Sequence, residues 1–377
     1  IENIFICIYR DNQFKISIHE FIKTFYLSRM NQSIESLLGK LIIAGFRGTD
    51  APPSSPIAKF IQNYDLAGVI LYDVDTGLGN LGSLNIQSPE QVLKLTNQLQ
   101  SYANDGLLIS IDQEGGQVNR LQIEYGFPAC PSWNSIGNQN DNNVTKDFAK
   151  TMAQNLQRHG INLNYAPVLD LDYGETSIIS HAERCFSSDP KKVANHAQLF
   201  IDSLKKQGII SCGKHFPGQG SATDDTHKSY TDMSKTWTKK DVLPFDSLIQ
   251  SGDLDMIMIA HTFDSKLDSE YPASMSKKII SDYLRDDLGF SGVIICDDPS
   301  MKAISDHYSL EETFEQMLNA GVDLFCLGNN LNYDPNYIPN CMKALRNIVS
   351  DGKVKKSRIH DAIQRIDVLK RKFNIHG

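Results

Sequence analysis

The sequence lacks any apolar run approaching the roughly 18 residues that cross a bilayer as a helix. It also lacks a long Lys/Arg run, and 37 basic against 45 acidic residues leave a formal net charge of -8. A chain so charged has no general attraction for phosphate backbones or anionic membranes, so neither nucleic acid nor a membrane span is an expected partner. Cysteine is sparse: the seven residues are odd in number and include no Cys-x-x-Cys pair, which argues against a disulfide framework and a zinc site. Cys212, Cys296 and Cys326 lie inside apolar runs, where a free thiol packs as a small hydrophobe. No P-loop occurs, and no Asp/His grouping has dedicated ligand spacing, so no cofactor and no metal are expected.

What is present is an ordinary globular composition, 41% hydrophobic and 22% charged, enough to bury a substantial core. Ile4 to Tyr9 is apolar, but Arg10, Asp11 and Lys15 interrupt any signal-peptide core. Residues 1–32 therefore read as an appendage and 33–377 as the folded domain, with a cytoplasmic location and a monomer as the expectations.

Eight short β-rich runs recur: Leu41 to Arg47, Leu66 to Tyr72, Leu107 to Asp112, Asn162 to Asp170, Ile209 to His215, Met256 to His261, Val293 to Asp297 and Val322 to Leu327. Helix-period segments such as Pro89 to Ala103, Val144 to His159, Pro190 to Gln207, Lys277 to Leu288 and Leu310 to Asn319 separate them. Gly106, Gly160, Gly208, Gly252 and Gly321 follow helical stretches, where a left-handed residue turns the chain into the next strand. Strict strand–helix alternation predicts an α/β fold, a single-domain (β/α)8 TIM barrel with C-terminal helices over Tyr337 to Val349 and Lys356 to Phe373. An open doubly wound sheet is the alternative.

The polar clusters fall at the C-terminal ends of these strands, the face on which barrels carry their sites. Gly213 to His227 packs a basic pair, Lys214 and His215, a glycine-rich hinge, and an Asp225-Thr226-His227 pair into one stretch. Asp225 can accept the Nδ1 proton of His227 and leave Nε2 for proton transfer. The Gly218 to Gly220 stretch reads as the hinge that swings His227 over the site. Lys214 and His215 can both donate to sugar hydroxyls; a Schiff-base lysine is the competing chemistry. Asp112-Gln113-Glu114-Gly115-Gly116 with Arg120 makes a hydroxyl clamp, Asp112 being the ligand contact and Glu114 a partner of Arg120 that braces the loop. Arg184 offers a forked pair of hydrogen bonds to substrate oxygens, and Asp170 orients its polar neighbours. Asp297 and Asp298 end the seventh run; Pro299 turns them in opposite directions, leaving Asp297 to attack an anomeric carbon and form a glycosyl ester. His261 sits at the end of the sixth run, while His159, His196 and His360 fall in helical patterns.

Taken together, Asp112-Gln113-Glu114-Gly115-Gly116, Ala166-Pro167-Val168-Leu169-Asp170, Arg184-Cys185-Phe186, Lys214-His215-Phe216-Pro217-Gly218, Asp225-Thr226-His227 and Asp297-Asp298-Pro299-Ser300-Met301 resemble glycoside hydrolase family 3. Within it they look like the bacterial β-N-acetylglucosaminidases (β-hexosaminidases) of the NagZ type. The resemblance implies Asp297 as nucleophile, His227 assisted by Asp225 as general acid/base, and Asp112, Arg120, Arg184, Lys214 and His215 as sugar-binding residues. It implies a retaining exo-β-N-acetylglucosaminidase that removes terminal GlcNAc from peptidoglycan muropeptides, a GlcNAc-containing oligosaccharide being the only partner. A non-catalytic sugar-binding barrel and a β-glucosidase-like hydrolase remain as alternatives, and a histidine base, neutral once deprotonated, admits transfer to phosphate. Gln117, Gln219 and Pro299 depart from the family pattern, the two glutamines each removing a cation from the mouth of the site.

Overall fold

Eight of the strands are buried along their length, six of them as short, mostly apolar runs, which suits a parallel sheet covered on both faces. The computed structural model describes residues 33–76, 84–226 and 229–376. Among these, β1 (Ile42–Gly45), β2 (Gly68–Leu71), β3 (Leu108–Ile111), β4 (Leu163–Asn164) and β5 (Ile210–Phe216) are followed by β6 (Thr231–Asp232), β7 (Met256–Ile259), β8 (Thr262–Phe263), β9 (Val293–Cys296) and β10 (Leu324–Leu327). All but β6 and β8 close into a parallel barrel in the order β1-β10-β9-β7-β5-β4-β3-β2. The fold is the (β/α)8 TIM barrel expected from the alternation.

Each expected strand is present, and β4 is the one that differs most. Its ladder stops after Asn164 because Pro167 has no amide to contribute, although Cys212 N–H still donates to Ala166 O (3.0 Å) and Leu169 N–H to Lys214 O (2.6 Å). Helices Pro89–Gln100, Asn142–Arg158, Pro190–Lys205 and Leu310–Ala320 match the periodic segments, while Lys278–Asp287 is wound as a π-helix. The five glycines expected after helices all have positive φ, from 65° to 119°. β6 and β8 form a two-stranded parallel sheet on the rim that the sequence pattern did not reveal.

Gly77, Gly79 and Gly82, after β2, carry the Gly-x-Gly-x-x-Gly spacing of a dinucleotide turn that a doubly wound sheet would use. They lie outside the described residues, and the closed barrel excludes that architecture without them. The 1–32 appendage and Cys7 lie outside as well. The six described cysteines are free.

Opposite the rim that carries the polar strand ends, Asp323 precedes β10 and is fully buried. It takes Arg285 at 2.6 Å and Arg358 at 2.7 Å, fastening the C-terminal helix Lys356–Lys372 under the barrel. A bottom-face cluster of this kind serves stability.

Candidate active site

A cavity of about 540 Å³ opens at the C-terminal ends of the strands, well within the range that holds a small ligand. Asp112 enters it from the end of β3, Lys214 and His215 from β5, and Asp297 and Asp298 from the end of β9. Arg120, Arg184 and Asp225 reach it from loops. The fold thus gathers into one hollow every site residue expected from the sequence that it describes. His227 lies outside the described residues; Asp225, two positions before it, is half-buried at the wall.

The floor is a continuous chain of charge pairs. Lys214 Nζ, almost fully buried, sits 2.7 Å from Asp112 Oδ1 and 2.7 Å from Glu114 Oε1. Arg184 sends Nε and Nη2 to the two oxygens of Glu114, both at 2.8 Å. Its Nη2 also approaches His215 Nε2 at 3.4 Å, and His215 Nδ1 meets Asp170 Oδ2 at 2.7 Å. This geometry takes the tautomer with the proton on Nδ1. Burial alone raises a carboxyl, but the charges of Arg184 and Lys214 outweigh it and hold Glu114 well below the usual range. Burial likewise opposes the charge on Lys214, and Asp112 and Glu114 overcome it, raising the ammonium above its ordinary value.

Two expectations change here. Glu114 braces Arg184 and Lys214 rather than Arg120, because Arg120 is claimed by Asp73, a buried residue after β2 whose Oδ1 lies 3.6 Å from its Nη1. Arg184 fixes its Nε and Nη2 against that carboxylate, and its Nη2 lies 3.4 Å from His215 Nε2. The Gly218 to Gly220 stretch is not built as a hinge. It is buried, Gln219 N–H donates to Asp170 Oδ1 at 2.7 Å, and Trp237 Nε1 donates to Pro217 O at 3.0 Å. Gly220 is there for close approach: a Cβ at that position would lie 2.2 Å from Leu171 O. Asp170 orients its neighbours as expected.

Asp297 and Asp298 divide as Pro299 suggested. Asp297 Oδ1 accepts the N–H of Asp298 at 2.8 Å, and its carboxylate borders the cavity. Asp298 turns to the amides of Ser300 (2.9 Å) and Gly328 (3.0 Å), tying the end of β9 to the end of β10. His261 Nε2 lies 3.1 Å from Asp298 O and its Nδ1 2.8 Å from Ser274 Oγ, so this histidine braces the loop after β9 from behind. His159 and His196 are helix histidines bonded to Asn155 O and Thr145 Oγ1.

Burial pushes the Asp298 carboxyl up from 3.8 to about 6. A carboxyl raised in the folded state contributes stability that is complete below its unfolded value and lost as pH rises through the folded one. Relative to Asp298→Asn, the wild type is expected to lose on the order of 3 kcal/mol between about pH 4 and 7. Thermal melts across that window check it, and parallel pH profiles for the two proteins count against it.

Among the described residues, five carboxylates line the cavity, Asp112, Glu114, Asp225, Asp297 and Asp298, against three cations, Arg120, Arg184 and Lys214. That is a formal excess of two negative charges. The residues that sequence reasoning missed, Tyr72 and Asn330 among them, follow β2 and β10. Their signal was position alone, just beyond a strand's C-terminal end.

The model of the Glycosyl hydrolase family 3 N terminal domain matches residues 33–369. A beta-hexosaminidase of Nitrosomonas eutropha is 34% identical over 287 residues, which cover 71% of this chain and 80% of that protein. One of Tolumonas auensis is 35% identical over 279 residues, 72% of this chain and 78% of the relative. Among solved structures, a glycoside hydrolase family 3 beta-N-acetylglucosaminidase from Paenibacillus sp. str. FPU-7 is similar over 91% of this chain, with a TM-score of 0.81 at 28% identity. The chain spans 63% of the length of that structure.

Proposed function

The chain belongs to glycosyl hydrolase family 3, and from that premise we propose that it is a retaining exo-β-N-acetylglucosaminidase acting through a glycosyl-aspartate intermediate. The observation that carries this reading is the placement of Asp297 at the end of β9, in one cavity with Asp225 and the Asp112–Lys214–Glu114–Arg184 array. Hydrolysis of a terminal β-linked GlcNAc is the activity that beta-hexosaminidase relatives bring to it.

In the first step Asp297 attacks C1 and forms an ester while His227 gives its Nε2 proton to the leaving oxygen. Asp225, accepting from Nδ1, steadies the imidazolium before transfer. In the second, neutral His227 takes a proton from water, the hydroxide oxygen displaces Asp297 from C1, and the β configuration is restored. Asp112 and Lys214, already fixed against each other at 2.7 Å, hold sugar hydroxyls. With Asp297 esterified, four carboxylates against three cations still leave one negative charge in excess among the described lining residues, which favours water over phosphate as the acceptor. Muropeptides are the source of the terminal GlcNAc that the family resemblance implies, and their aglycone is anionic.

Mass spectrometry after reaction with a 2-fluoro sugar that deglycosylates slowly tests the reading. The label is expected on Asp297, and free GlcNAc is the expected product from an ordinary substrate with or without added phosphate. A label elsewhere, or none with turnover intact, removes the proposed nucleophile.

A further inference from the structure

The cations that line the cavity are not fastened alike. Lys214 reaches Asp112 and Glu114 at 2.7 Å, and Arg184 grips Glu114 through two bonds at 2.8 Å. Arg120 is held more loosely. Its Nη1 stands 3.6 Å from Asp73 Oδ1, beyond hydrogen-bond reach. That carboxylate oxygen and the Nε of Arg120 are both buried, and neither has a hydrogen-bond partner among the described residues. What surrounds the pair is well fixed. Asp73 is 1% exposed, and its Oδ2 accepts from Gln122 Nε2 at 2.5 Å, which turns Oδ1 toward the guanidinium. The N–H of Arg120 donates to Gln113 Oε1 at 3.0 Å, tying its main chain to the residue after Asp112. The guanidinium carbon lies 5.8 Å from the centroid of the Tyr72 ring, and both side chains border the cavity.

We infer that Asp73 is a positioning residue, which aims the guanidinium of Arg120 at a hydroxyl of the bound sugar and leaves its terminal N–H groups for that sugar to use. The inference rests on the glycosidase reading above, which puts a sugar in this cavity. A carboxylate at 3.6 Å still attracts the cation strongly where water is scarce, so the long side chain is drawn to one direction. A closed pair like Arg184 with Glu114 fixes its cation at the expense of donors, and an arginine with no counter-charge keeps its donors but loses its aim. Asp73 is not among the residues that line the cavity. It reaches the substrate only through Arg120.

Steady-state kinetics of the full chain on an aryl β-GlcNAc test this. Asp73→Asn keeps the shape of the side chain and removes its charge. KM is expected to rise about tenfold, the order of one hydrogen bond to a charged group, with kcat within about twofold, as for a contact held equally in ground and transition states. Arg120→Ala should raise KM at least as far, and on that background Asp73→Asn should add less than about twofold, because the two residues act as one unit. An unchanged KM overturns the inference. So does a rise that persists in full without Arg120, or a loss confined to kcat, since either gives Asp73 a role that does not pass through the cation. Should Asp73→Asn fail to fold, Gln122→Met at a half-buried position frees the carboxylate to turn while keeping its charge. It is expected to raise KM about threefold with Arg120 present and not with Arg120→Ala, and equal effects on both backgrounds count against the inference. If the wild type cleaves no aryl β-GlcNAc, the glycosidase reading fails by itself. Calorimetric titration with GlcNAc then decides the inference separately: binding weakened in Asp73→Asn upholds it, and equal binding or none in the wild type overturns it.

Discussion

Asp297→Ala is expected to lower kcat by a factor on the order of 10⁴ or more, since removal of a nucleophile leaves only binding and the remaining electrostatics. KM should move far less, because Asp112, Lys214 and Arg184 remain fixed to one another through bonds that Asp297 does not share. Thermal stability should also hold, since Asp297 is half-buried at the cavity and not packed in the core. The substitution leaves a hollow on the α face of the bound sugar, and azide at high concentration should enter it, attack C1 and yield the α-glycosyl azide. Rescue to that product separates a missing nucleophile from a damaged site. Full activity in Asp297→Ala, or a loss that azide leaves unchanged while the variant still binds product, sinks the mechanism proposed for this cavity.

The fold was legible because most of the barrel strands are apolar runs short enough to be strands, as in Val293 to Cys296 before Asp297. A parallel sheet buried on both faces writes itself into the sequence that plainly. β6 and β8 span two residues each, too few for any period to show. The membership of the site was legible for the same reason as the strands: Asp112, Lys214 and Asp297 stand where apolar runs stop. Its pairing was not. Glu114 meets Arg184 across 70 positions and Lys214 meets Asp112 across 102, so the nearer Arg120 looked like the natural partner for Glu114. Arg120 answers instead to Asp73, on a strand end that carried no cluster to draw notice. Gln219 was hidden differently: its backbone amide, not its side chain, binds Asp170, and that bond turns an apparent hinge into a fixed corner.

Glu114→Gln carries the largest expected effect on stability. Glu114 is fully buried and receives Arg184 through two bonds at 2.8 Å and Lys214 at 2.7 Å. A neutral amide of the same shape keeps the volume but strands part of two buried cations, and breaking one partner of a buried ion group costs about 3–5 kcal/mol. For a domain of this size the melting temperature should fall by roughly 4–7 °C. The charge pairing that holds the Glu114 carboxyl below its ordinary 4.5 also fixes the pH dependence. Its contribution is fully present above the unfolded carboxyl value and is lost as pH falls toward the depressed folded one, so the gap between wild type and variant should close in acid and stay wide at neutral pH. Adding Arg184→Met removes the guanidinium that the first substitution strands, and the double variant should be destabilised by less than the sum of the two singles. Strict additivity, or a gap that widens in acid, shows that Glu114 stabilises the barrel by its packing and not by its charge.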